Sequence, residues 1–127
     1  MNYDAICHMI RVLQQVQDDA TLISAFDLDH WVDSDLNMCA CGFAARDPWF
    51  IQHGFRSETV DSVSTIVYDV QGTSIYGWYA VKEFFGLDAI TIQELFMDGF
   101  YSQPVTPSKV IARLKKVIAG TWDGNWD

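Results

Sequence analysis

Apolar residues recur at helical spacing at both ends of the chain. Between residues 4 and 17, Ile6, Met9, Ile10, Leu13 and Val16 fall on one stripe with Arg11, Gln14, Gln15 and Gln17 opposite, which predicts an amphipathic helix. The clearest signal lies at the other end. There Thr106 is the cap, Pro107 the first helical residue, and Val110, Ile111, Leu114, Val117 and Ile118 form a continuous apolar stripe that Gly120 ends.

The middle is more broken. Ala20 to Asp35 reads as an apolar and acidic connector whose Asp-x-Asp pattern favours turns and caps over a long regular element. Asp47-Pro48 predicts an N-cap and first helical residue, opening a short helix through Gln52 that Gly54 stops. Ser64 to Val70 is β-branched and aromatic, so Thr65 to Tyr68 is expected to be a short strand, with Asp69 to Gly72 supplying only a turn. A helix from Thr73 or Ser74 then carries Trp78, Val81, Phe84 and Phe85 to Gly86, and the capping-box pattern Thr91-Ile92-Gln93-Glu94 opens another through Met97.

These elements predict a mainly α fold: a single compact helical domain over residues 1–127, with a short β-strand or hairpin near residues 64–70 and residues 121–127 as a tail. The core is expected from the two terminal stripes plus Trp31, Trp49, Trp78, Phe84 and Phe85. With 127 residues, 50% of them hydrophobic, such a chain buries roughly two-thirds of its unfolded surface and needs no metal or disulfide staple.

Charge changes the picture. The formal net charge is −9, from 17 acidic and 8 basic residues, which removes the main driving force for binding a phosphate backbone and favours a partner protein with a basic surface. Asp18, Asp19, Asp27, Asp29, Asp33 and Asp35 lie in one stretch without Lys or Arg and are the candidate partner-binding residues. Lys109, Arg113, Lys115 and Lys116 hold half of the basic residues; Lys109, Arg113 and Lys116 are spaced to share a helix face. That face, with Trp122 and Trp126 in the tail, offers at most weak self-association, so a monomer or weak dimer is expected.

The first residues lack a basic and apolar leader pattern, and the apolar runs are too short to span a membrane, so the chain reads as soluble, cytoplasmic and without a membrane partner. Cys7, Cys39 and Cys41 cannot all pair, which agrees with a reducing compartment.

Candidate chemistry is sparse. His30, Cys39 and Cys41 beside the aspartates include the common zinc-ligand types, but Cys-x-Cys lacks the second thiol or histidine pair of a structural zinc site. Asp33-x-Asp35-x-Asn37 matches the start of a calcium loop, which then fails at Met38 and Ala44. Cys41 with His53 could form a thiol and base, although core thiols are the simpler reading. No glycine-rich phosphate cradle occurs. The expectation is a non-enzyme with no catalytic residues, metal or cofactor; the rival is a small metal- or thiol-dependent enzyme using the His30, Cys39 and Cys41 region.

Phe26, Trp31, Cys41-Gly42-x-Ala44-Ala45, Gly77-Trp78-x-Ala80, Phe84-Phe85-Gly86-Leu87, Leu95-Phe96, Tyr101, Thr106-Pro107 and Val110-Ile111-x-Arg113-Leu114 follow in order. This order resembles a group of small uncharacterised proteins of bacteriophages and mobile elements, over most of residues 26 to 118. The resemblance implies a phage-type accessory factor, acting in the host cytoplasm, that binds and inhibits or modulates a host protein. A CRISPR complex or another defence or nucleic-acid enzyme would be such a target, making the protein anti-CRISPR-like.

Overall fold

A computed structural model describes residues 1–32 and 37–124. Two long helices form the frame. Helix α1 (Tyr3–Gln17) is capped by the Asn2 side chain and packs against the last helix, α7 (Pro107–Ala119), which the Thr106 hydroxyl caps at Lys109 N–H and Gly120 ends in the left-handed region at φ 74°. Their facing stripes are buried: Ile6, Met9, Leu13 and Val16 from one, Val110, Leu114 and Val117 from the other. The periodicity predicted both helices because a 3.6-residue repeat of apolar side chains has one stable use, burial against a second such face.

Between them run short helices α2 (Ala20–Ser24), α3 (Ala40–Ala44) and α4 (Pro48–Gln52), with α4 opened by the Asp47 cap as expected. Then comes a three-stranded antiparallel sheet, β1 (Phe55–Val60), β2 (Val63–Val70) and β3 (Thr73–Tyr76), in the order β1-β2-β3. Helices α5 (Gly77–Phe85) and α6 (Ala89–Phe96) follow, with a 3₁₀ turn at Asp98–Phe100 before α7.

The sheet corrects the sequence reading from a mainly α fold with one short β element to a helix-dominant mixed fold. Its hairpins turn through Asp61-Ser62 (φ 52° and 66°) and Gln71-Gly72 (φ 51° and 79°). Paired positive φ values give the turn that matches strand twist, but Asp-Ser and Gln-Gly are weaker signals for it than Asn-Gly. Residues 73–76 therefore form β3, and the helix assigned from Thr73 or Ser74 begins at Gly77 instead. Helix α6 also starts earlier than expected: Asp88 is its cap, accepting from Thr91 N–H at 2.7 Å, so Thr91 lies in the first turn.

Aromatic rings fill the centre. Phe55 lies 4.7 Å from Phe84 between ring centroids and 5.6 Å from Phe50, and Phe85 lies 5.5 Å from Phe96. Trp31, Trp49 and Trp78, expected in the core, are half-buried at its margin. The N-terminus is fastened to this centre, with Asn2 N–H donating to Phe85 O at 2.8 Å and Asn2 Nδ2 to Phe84 O at 2.9 Å.

Candidate partner-binding surface

Two of the described connector aspartates, Asp19 and Asp27, bind nearby backbone N–H groups, and Asp18 binds a side-chain amide. Asp19 caps α2, accepting from Thr21 and Leu22 N–H; Asp27 accepts from Asp29 N–H at 2.9 Å; and Asp18 closes α1 while accepting from Gln14 Nε2 at 3.2 Å. These bonds use some of the acceptor capacity of Asp18, Asp19 and Asp27 without neutralising their charge. Asp18, Asp19 and Asp29 are exposed, and Asp27 is half-buried with His30 Nε2 at 3.9 Å. Asp33 and Asp35, and with them the calcium-loop match, lie outside the described residues, as does Trp126.

The thiols and His30 do not converge. Cys39 and Cys41 are buried free thiols, whereas His30 is exposed and reaches Cys39 through its backbone carbonyl, which accepts Cys39 N–H at 2.7 Å. No group of three His, Cys, Asp or Glu side chains suited to a metal forms among the described residues. Burial pushes the Cys41 thiol well above its ordinary value, aided by the neighbouring Cys39 sulfur. At Cys39 burial acts upward, but hydrogen bonds from the Cys41 thiol and the Gly42 and Cys41 backbone hold the group below its ordinary value. Cys41 is fully buried and His53 is exposed, with its Nδ1 2.7 Å from Trp49 O.

The basic face expected on α7 is also divided. Arg113 is 3% exposed, its guanidinium 3.6 Å above the centre of the Tyr101 ring and 5.3 Å from that of Trp122, while it donates to Glu94 O. Trp122 folds back to donate to Glu94 Oε1 at 3.2 Å, so this tail tryptophan is a half-buried cover of Arg113. Lys109 Nζ donates to Ser102 O at 2.9 Å and Pro104 O at 2.7 Å. Periodicity alone grouped these cations, because it cannot tell a solvated guanidinium from one stacked between aromatics.

One concave feature escaped the sequence reading. A groove of about 260 Å³ between α5 and α6 is lined by Trp78, Tyr79, Lys82, Ala89, Ile92, Gln93 and Met97. Trp78 holds one wall in place through Trp31, 4.5 Å away between ring centroids. Of its lining residues Tyr79 is 60% exposed, and Ile90, which follows the lining residue Ala89, is 68% exposed.

No described helix is long and apolar enough to cross a membrane. No family model, curated protein or solved structure matches the chain.

Proposed function

We propose that this is a phage-type accessory protein that acts by binding: it engages a basic surface of a host protein, such as a CRISPR complex or another defence or nucleic-acid enzyme, and inhibits or modulates it. The reading rests on charge. Asp18, Asp19 and Asp29 are exposed and form no ion pair with Lys or Arg among the described residues, within a chain of net charge −9. Such a field speeds association with a cationic surface more than it deepens affinity.

Pull-down from host lysate at low and high salt is the test. A partner retained at low salt should be lost at high salt, and replacing Asp18, Asp19, Asp27 and Asp29 by Asn should weaken its capture. Salt-insensitive capture that survives those replacements would sink the reading.

A further inference from the structure

We propose that the α5–α6 groove is an anchor site for one large apolar or aromatic side chain of a partner protein, flanked on that partner by Lys or Arg. The inference rests on the binding role proposed above and gives it a place of apolar contact. Size comes first. At about 260 Å³ the groove falls below the range of roughly 300–1,000 Å³ typical of drug-sized ligand sites. One inserted side chain suits it better than a cofactor.

The lining fits the same occupant. Trp78 and Tyr79 give flat faces at small entropic cost, Met97 adapts to irregular shapes, and Gln93 provides an amide at the wall. Tyr and Trp are the residues that dominate binding energy at protein interfaces, and here Tyr79 stands 60% exposed at the edge.

Charge selects the neighbours of the anchor. Lys82 lines the groove, but Glu83 Oε1 lies 3.5 Å from its ammonium and Asp88 is close enough to feel the same charge. Both carboxylates are exposed and adjoin lining residues in the chain, Glu83 next to Lys82 and Asp88 next to Ala89, so two acids stand beside the groove against the one base in its wall. A cationic residue beside the anchor meets Glu83 and Asp88, whereas an acidic one meets them in repulsion.

The test uses the full chain, ¹⁵N-labelled, titrated with the synthetic peptides Gly-Lys-Trp-Lys-Gly and Gly-Glu-Trp-Glu-Gly. The lysine peptide should give saturable shifts at the Trp78 indole N–H and at the Ala89, Ile92 and Gln93 amides, with a Kd roughly tenfold lower than that of the glutamate peptide. Ala89→Trp fills the groove from an exposed position and should abolish those shifts while the rest of the spectrum stays native. If that variant is perturbed elsewhere, Gln93→Trp serves as the second block. Shifts confined to Asp18, Asp19, Asp27 and Asp29 that persist in the blocked variant would overturn the groove and leave the acidic-surface reading standing. Absence of saturation, or equal binding of both peptides, would also overturn the proposal.

Discussion

Gly42 faces the backbone carbonyl oxygen of Trp31 with no room for a side chain between them. A Cβ built at position 42 would overlap that oxygen and approach Met38 Cβ to 2.8 Å. The opposing atoms are backbone and a side-chain root, and neither can swing away. Gly42→Ala is therefore expected to destabilise by about 1–3 kcal/mol, the usual cost of overpacking, despite the better helix propensity of alanine. Urea unfolding checks it, and an unchanged midpoint would mean that the loop before α3 yields freely.

How much of this was legible in the sequence depends on the kind of signal. Helices α1 and α7 were, because their apolar positions repeat with the helical period, and α4 and α7 were also marked by the caps Asp47 and Thr106 with Pro48 and Pro107 fixing the first turn. Strand β1 was not. Phe55-Arg56-Ser57-Glu58-Thr59-Val60 is stabilised by pairing with β2, where Arg56 Nε donates to Asp69 Oδ2 at 2.7 Å, and such pairing has no local mark. The α5–α6 groove was hidden for a related reason: Trp78 shares a helical stripe with Phe84 and Phe85, and only the packing of α6 decides which aromatic is left at the margin. The connector aspartates were readable as turn and cap residues; Asp19 caps α2, and Asp27 closes a local turn by accepting Asp29 N–H.

Asp47 joins two elements, since it caps α4 through Trp49 N–H at 3.0 Å and pairs with Arg11 of α1 at 2.8 Å. Partial burial pushes its carboxyl up, but the Arg11 guanidinium and the Trp49 and Phe50 N–H groups outweigh this and hold it below the usual carboxylate range. The fold thus gains stability above the unfolded carboxyl value of about 3.9 and loses it as pH falls through the lower folded value. Asp47→Ala should cost about 1–2 kcal/mol at neutral pH, with the gap to wild type narrowing in strong acid. Urea titrations at neutral pH and near pH 3 measure this; a gap independent of pH would show that the carboxylate charge is idle.

Thiol reactivity should separate the three cysteines. Cys7 is exposed on α1, while Cys39 and Cys41 are 2% and 0% exposed. In the native protein iodoacetamide is expected to modify Cys7 quickly and the other two only through opening of the fold, because the reacting thiolate must meet the reagent. Mass spectrometry should give one adduct natively and three after denaturation. Fast native labelling of Cys39 would mean that the segment before α3 opens far more readily than its packing implies.

The last expectation concerns Arg113, where a buried cation serves the structure. Its planar guanidinium stacks over Tyr101 at 3.6 Å and donates to Glu94 O, while Tyr101 is itself held by donating to Leu95 O at 2.6 Å. Trp122 closes the other side through Glu94 Oε1. Lysine keeps the charge but loses both the flat stacking surface and the guanidinium fork. Arg113→Lys is therefore expected to destabilise by about 1.5–3 kcal/mol, the worth of a hydrogen bond to a charged group in such a setting. It should also loosen the tail, read as faster amide hydrogen exchange at Thr121 and Trp122. If Arg113→Lys matches the wild type in both stability and exchange, charge alone holds this corner, and the stacking of Arg113 between Tyr101 and Trp122 contributes nothing that lysine cannot supply.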